Sequence, residues 1–447
     1  MKKNYLLGMA LLASLSFNSC DKEVVYVQDG NRLESVADGA QIITLQVENG
    51  GDGLATRAGR PLYSAEAKQT IENVKLWICD GAGNVIKYVK EISDWNTDDV
   101  STVYTTGGHG RQTTIELKDA DKLAAGTYKI YAVGYSNSSA YTLTDVTNVA
   151  KESTFNENMV LPCSTVGEEI FAGQMELTVE KGKGFKKPVV LNRQVAGAFA
   201  YVKDIPFMEG AKYLKLVASA QNQSLVLGNF NSFDLTGNGS GNANVKYVVN
   251  GTNGKSGSET YVISTIDLNK WFTAIKDDNG DNLIDAGENW KNPCRPSSSP
   301  AAGTYPTFQK GSAFGGEFVI PFAHVDGKQT LTLQLTNAGG KVLRSWKVNL
   351  GSTDEQLKQT ITCWNRGSTD WSTSLSGELA NTYSLVRNHL YGIGTRMNDE
   401  ANPEKPGVDP DPNPENPNDK PESLNNKQEL VLKVNDNWEV IHGMELD

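Results

Sequence analysis

Short runs in which apolar and polar residues alternate, each closed by a Gly- or Asn-rich turn, recur along this chain and constrain it to sheet. Ile43, Leu45 and Val47 alternate with Thr44 and Gln46, the pattern of a strand with one apolar face. Residues 74–78 run into Asp80-Gly81-Ala82-Gly83-Asn84 and return through 85–89, which is a hairpin signature. Residues 113–117, 127–133, 169–179 and 188–203 continue the pattern. Leu331, Leu333 and Leu335 alternate with Thr330, Thr332 and Gln334, then turn at Asn337-Ala338-Gly339-Gly340 into 342–348. Regular short strands with such turns predict an all-β fold of β-sandwich domains. Helix signals are few, the clearest at 268–276 with Asp267 as its N-cap.

The 447 residues give room for about two or three domains. Gly182-Lys183-Gly184-Phe185-Lys186-Lys187 breaks the strand pattern, which places an N-terminal domain at 58–185 and a C-terminal domain at 186–447. Lys and Arg total 42 against 53 Asp and Glu, for a net charge of −11. That balance argues against a nucleic-acid partner, whose binding surface would be basic. Lys2 and Lys3 precede a short apolar run at 5–15. The run is too short to span a bilayer and has the length of a signal-peptide core. It ends in Phe17-Asn18-Ser19-Cys20, which resembles a bacterial lipobox in which the Cys becomes the lipidated first residue. Phe17 and Asn18 depart from the usual residues there, and an ordinary secretory signal fits the same run. Buried acyl chains on Cys20 would contribute ~0.8 kcal/mol per CH₂ toward holding the chain on a membrane. Cys79, Cys163, Cys294 and Cys363 form no C-x-x-C pair, which excludes a zinc ribbon or thioredoxin-like site. They read as mostly buried free thiols.

Residues 21–40 read as a polar tether, and 48–60 as an exposed loop of the kind proteases nick. Residues 399–422 hold seven of the sixteen prolines, many acids and no aromatic. Such a segment stays extended, and at ~3.1 Å per residue it reaches ~75 Å. Beyond it, within 428–441, Leu430, Leu432 and Val434 share one strand face, with Trp438 following. A patterned strand at the end of a long tether must find a sheet, in its own chain or in a neighbour.

Catalytic motifs are missing. The chain has four His, no H-E-x-x-H and no G-x-S-x-G, the motifs of zincins and nucleophile-elbow hydrolases. Gly254-Lys255-Ser256 echoes a phosphate-binding loop, but Val249 stands where its leading Gly must be. No catalytic residue is assigned, and the chain is read as a non-enzyme. The loop from Asp277 to Glu288 has the ligand order of an EF-hand. Asp277, Asn279, Asp281 and Asp285 supply side-chain oxygens, Leu283 a carbonyl and Glu288 the closing carboxylate. Asn282 replaces the usual Gly and tolerates positive φ. The helix at 268–276 would enter this loop, and Pro293 cuts short an exiting one. The expectation is structural calcium that stiffens the loop at ~10⁻⁴–10⁻³ M affinity. An acidic surface turn is the plain alternative.

Several motifs in a fixed order resemble those of the Bacteroidetes fimbrillins, the type V pilins, over nearly the whole chain. They are the Cys20 lipobox, Thr56-Arg57-Ala58 after a strand, Leu191-Asn192-Arg193-Gln194-Val195-Ala196 and Arg387-Asn388-His389-Leu390-Tyr391. The Pro/Asp-rich insert and the closing Asn437-Trp438-Glu439-Val440 complete the set. The resemblance implies two transthyretin-like β-sandwich domains, export as an outer-membrane lipoprotein, and cleavage after an Arg by a trypsin-like protease. Carried onto this chain, cleavage falls after Arg57, with Arg60 as second choice, and releases residues 20–57 with their strand. Other fimbrial subunits at the cell surface are the implied partners. A lost strand leaves unpaired backbone groups and an apolar stripe, and an incoming strand restores both. The candidate donor is the C-terminal strand with Leu430, Leu432, Val434 and Trp438, although an intramolecular edge strand fits it too. Head-to-tail contacts of this kind build a filament. A minor, anchor or tip subunit is a variant of this reading. A surface glycan-binding lipoprotein, using the eight Trp as a stacking platform, is the rival.

Overall fold

The computed structural model describes residues 25–29, 32–36, 39–48, 71–104, 110–137, 139–163, 168–227, 248–252, 255–286, 289–293, 308–322, 331–350, 361–364, 371–374, 385–388, 390–394, 420–425 and 429–435. The chain opens with β1 (Val25–Asp29) and β2 (Arg32–Val36), an antiparallel hairpin. The stretch expected as a bare tether thus carries structure, formed where Val25, Tyr26 and Val27 bring strand propensity.

Nine strands follow. They are β3 (Gln41–Glu48), β4 (Asn73–Asp80), β5 (Ile86–Ile92), β6 (Thr102–Tyr104), β7 (Gly110–Leu117), β8 (Gly126–Tyr135), β9 (Met159–Pro162), β10 (Phe171–Val179) and β11 (Phe185–Arg193). A four-residue helix, α1 (Thr144–Thr147), sits before β9. Eight of these strands form one sheet in the order β5-β4-β8-β10-β11-β3-β7-β6. The sheet bends where β10 meets β11, which pair only at Phe171↔Arg193 and Ala172↔Asn192. A Cβ on Gly173 would fall 1.9 Å from the Val190 carbonyl oxygen, so this close approach needs a glycine. Beyond the bend the two halves of the sheet share one core. Ile43, Leu45, Val47 and Val189 pack with Leu76, Ile130 and Leu177.

The second half supplies β12 (Ala196–Lys203), β13 (Ile205–Pro206), β14 (Ala211–Gln221), β15 (Ser224–Leu227), β16 (Val248–Val249), β17 (Gly251–Thr252), β18 (Lys255–Asp267) and β19 (Leu283–Ile284). It continues with β20 (Ala313–Val319), β21 (Leu331–Asn337), β22 (Val342–Leu350), β23 (Ile361–Trp364), β24 (Trp371–Ser374), β25 (Leu390–Ile393), β26 (Glu422–Ser423) and β27 (Glu429–Asn435). The larger sheet here runs β18-β14-β21-β22-β27-β25-β12-β20, with β26 also on β12. The small sheet β17-β15-β9 joins β9 from the first half of the chain to β15 and β17 from the second.

Three expectations change. The two large sheets divide at Gln194 and Val195 rather than at 185/186, because residues 185–193 form β11 and ladder to β3. The helix expected over 268–276 is only α2 (Leu268–Trp271), capped by Asp267, whose Oδ1 accepts from the Asn269 N–H at 3.0 Å. It stops because Phe272 turns into a bridge with Trp290 and is fully buried. The Pro/Asp-rich stretch is fixed at its end, where Glu422 and Ser423 pair with Val202 and Lys203 and the neighbouring Leu424 is fully buried.

Cys79 and Cys163 are both buried. Burial pushes the Cys79 thiol up to about 12, so it is inert at neutral pH. Beside it lies a polar cluster on β8. Lys129 Nζ donates to Glu157 Oε1 at 2.8 Å, Asn84 Nδ2 at 3.1 Å, and the Tyr131 hydroxyl donates to the same oxygen. Burial alone would raise the Glu157 carboxyl, but these donors outweigh it and hold it below the usual range. A depressed folded-state value stabilises above the unfolded pKa and is lost as pH falls through the folded one. Glu157→Gln should therefore flatten the fall in stability between about pH 5 and pH 3. Urea midpoints across that range, compared with the parent chain, measure the difference. Parallel slopes would remove Glu157 from the acid response.

Candidate functional site

The strand legible at 43–47 is held on both of its edges. β3 runs parallel to β11 from Gln41↔Phe185 to Val47↔Leu191. On its other side it runs antiparallel to β7, from Gln41↔Leu117 to Glu48↔Gly110. Both of its edges are laddered along nearly its whole length. On one face Ile43, Leu45 and Val47 are 0% exposed, worth roughly 1.5–3 kcal/mol each. Their sum is comparable with a whole domain's stability of about 5–15 kcal/mol. On the other face Gln46 Nε2 donates to Gln112 Oε1 at 3.1 Å.

The start of the strand is pinned by four further bonds. Lys122 Nζ donates to the Gly39 carbonyl at 3.0 Å. The Phe185 N–H donates to the Ala40 carbonyl at 2.7 Å. The Gln41 carboxamide bridges the Leu123 backbone, donating from Nε2 to its oxygen at 2.9 Å and accepting its N–H at 2.7 Å. Arg57 and Arg60, the expected cleavage sites, follow β3 in the sequence and lie outside the described residues, as does Cys20. If this strand leaves, β7 and β11 each present an unpaired edge beside an apolar slot.

The second strand of interest is β27. It lies in its own chain's sheet, the intramolecular option left open by the sequence. Its ladder is thinner than that of β3. Glu429–Leu432 pair with β22 in parallel, from Lys347↔Glu429 to Leu350↔Leu432. Lys433–Asn435 then pair with β25, antiparallel. At each point along its length β27 has one laddered neighbour, where β3 has two. Leu430 is buried. Leu432 and Val434 are placed by backbone only, and Trp438 lies outside the described residues.

Between the two sheets sits a buried polar cluster that the sequence did not foretell. Arg193, at the end of β11, donates from Nε and Nη2 to Glu169 Oε1 at 2.8 and 2.6 Å. Its guanidinium lies 5.0 Å from the Phe171 ring centre and its Nη1 is 3.4 Å from Asn388 Oδ1. Arg387 Nη1 donates to Gln194 Oε1 at 2.8 Å. The Asn388 N–H donates to the Val195 carbonyl at 2.8 Å, and Asn250 Nδ2 to the Gln194 carbonyl at 3.1 Å. Burial pulls the Arg387 guanidinium down to about 9, still charged at neutral pH. The motifs at 191–196 and 387–391 are thus two sides of one joint. A signal existed in that both pair an Arg with an amide residue, but spacing gives no clue that they meet.

The remaining site expectations fare as follows. In the acidic loop both Asp277 oxygens accept backbone N–H groups, from Gly280 at 2.7 Å and Asn282 at 2.9 Å. Asp281 Oδ1 accepts the Leu283 N–H at 2.8 Å, and Asn282 has φ of 65° as expected. The oxygens order the turn itself. Among the described residues no three His, Cys, Asp or Glu converge on a metal position, and Glu288 lies outside them. The entering helix is reduced to α2. Of the Trp residues offered as a platform, Trp77, Trp95, Trp271 and Trp346 are buried in cores. The Trp290 indole donates to the Ser312 carbonyl at 2.7 Å. Those five do not form a stacking surface. No helix among the described residues is long and apolar enough to cross a membrane.

No family model matches the chain, and no curated protein does. Among solved structures, it is similar to a fimbrial assembly protein from Parabacteroides distasonis, at 11% identity and a TM-score of 0.34 over 80% of this chain and 90% of that one. It is similar to the fimbrial anchor protein Mfa2 from Porphyromonas gingivalis, at 10% identity and 0.30, over 78% and 99% of the two chains. The tip fimbrial protein Mfa3 from the same organism, with a C-terminal truncation, gives 9% and 0.36 over 79% and 94%.

Proposed function

We propose that this chain is a structural subunit of a cell-surface fimbrium, exported as a lipoprotein, cleaved after an Arg and polymerised by strand exchange in support of adhesion. The observation that carries the reading is β3, a strand with two laddered edges and a fully buried apolar face. It is joined to the rest of its sheet through the sequence that contains Arg57. Cutting there turns a doubly laddered strand of the sheet into a separate peptide and prepares a slot of defined direction and chemistry. A strand entering the slot regains two ladders and an apolar face, where β27 at home has one ladder at a time. That difference supplies a driving force for exchange. Arg57 is preferred over Arg60 because Pro61 follows Arg60 and has no backbone N–H to offer a protease. Cys20 would hold the precursor on the outer membrane until that cut.

Electron microscopy of cells with and without the protein, together with N-terminal sequencing of purified fibres, tests this. Fibres present only with the protein, with subunits beginning at Ala58, are expected. Fibres whose subunits still begin at Cys20 would sink the proposal.

A further inference from the structure

We infer that Gln41 is a register key and that Gln428 of a second copy of this chain replaces it in the emptied slot. This rests on the exchange reading above and goes further by fixing which residue of the donor lands where. The Gln41 side chain shares the face of Ile43, Leu45 and Val47. Its carboxamide satisfies both backbone groups of Leu123, a residue itself nearly buried. When β3 departs, that N–H and that carbonyl lose their partners at the mouth of the slot. A buried unpaired peptide group is costly, so an occupant that restores both bonds is favoured over one that does not. Few side chains qualify, because one group must donate and accept at once, and a carboxamide does so.

The chain carries a second copy of the needed pattern. Residues 41–47 read Gln-Ile-Ile-Thr-Leu-Gln-Val and residues 428–434 read Gln-Glu-Leu-Val-Leu-Lys-Val. The pattern Gln-x-Ile/Leu-x-Leu-x-Val occurs at these two places and nowhere else in the sequence. Laying one on the other puts Leu430, Leu432 and Val434 at the positions of Ile43, Leu45 and Val47, and Gln428 at that of Gln41. Thr44 gives way to Val431 and Gln46 to Lys433. A slip by two residues would keep the same strand face inward but set Leu430, or Asn426 with a side chain one methylene shorter, against Leu123. The apolar stripe alone therefore does not fix the register, and the carboxamide does.

The register makes a cross-linking test possible in the full chain. Gln46 faces Gln112 on β7, so Lys433 of the donor should take that place. Chains carrying Lys433→Cys and Gln112→Cys, trimmed with trypsin and allowed to assemble, should form an intermolecular 433–112 disulfide, mapped by mass spectrometry. Val431→Cys or Asn435→Cys with Gln112→Cys should not cross-link efficiently. A dominant 431–112 or 435–112 bridge would overturn the inference while leaving strand exchange standing. No bridge from any of the three would overturn the exchange reading itself. Independently, Gln428→Ala and Gln428→Glu should leave the untrimmed monomer folded and make the fibres dissociate about tenfold faster or more. The Glu variant can accept from Leu123 but cannot donate to it. Unchanged dissociation in both variants would also overturn the register key.

Discussion

Trimming the purified precursor with trypsin is expected to convert a concentration-independent monomer into fibres, and a synthetic peptide of residues 428–441 is expected to stop the conversion. The first half of this result follows from the two ladders of β3 and its buried face. While the strand is covalently attached, its local concentration outcompetes any neighbour. Once cut free it is held only by contacts worth roughly 5–9 kcal/mol of apolar burial plus its ladders, and a displaced strand diffuses away. The second half follows from the slot accepting one strand at a time. Excess free peptide caps each trimmed molecule before another chain's tail arrives. The peptide is a better probe than tail deletion, since β27 also bridges β22 and β25 at home and its loss would damage the donor. Size-exclusion chromatography with negative-stain microscopy reads the outcome, which is expected to be all or none. A trimmed chain that stays monomeric, or one that polymerises equally well with peptide and with a scrambled control, would defeat the strand-exchange account.

The next largest effect is expected at the joint between the sheets. Arg193→Ala should cost about 3–5 kcal/mol, because it strands the fully buried Glu169 carboxylate without its cation. That is a large share of a typical domain stability, and it should appear as a drop in urea midpoint of both halves of the chain together. Replacing both partners, as Arg193→Met with Glu169→Leu, should recover most of the loss, since a well-packed apolar pair is often as stable as a buried ion pair. A double-mutant cycle separates the pair from the contacts Arg193 makes with Phe171 and Asn388. If the single Arg193→Ala chain melts like the parent, the joint does not hold the sheets together.

The fold was legible where local rules act alone. Alternation at 43–47 and at 331–335, and the Gly-rich turn after Cys79, located β3, β21 and the β4–β5 hairpin because side-chain period and turn chemistry are properties of neighbouring residues. The helix at 268–276 was overdrawn for the same reason. Its cap was correct, but Trp271 and Phe272 were claimed by the core, and burial outweighs propensity. The division at 194–195 was missed because a Gly- and Lys-rich turn looks like a boundary, while here it only feeds β11 back beside β3. The meeting of Arg193 with Asn388 and of Gln194 with Arg387 spans most of the second half of the chain, and no periodicity encodes it. The tail's home in its own sheet was undecidable from pattern, since an apolar stripe fits any complementary edge.

The parallel pairing of β3 with β11 sets a polarity. Gln41 lies opposite Phe185, and Val47 lies opposite Leu191, close to the Arg193 cluster. A strand that keeps this orientation leads with its final residues toward that cluster and trails its tether out past Leu123. The molecule that lends the strand must then stand beyond that pole. On the exchange reading, growth is one-ended, with every newcomer docking on the same terminus of the rod.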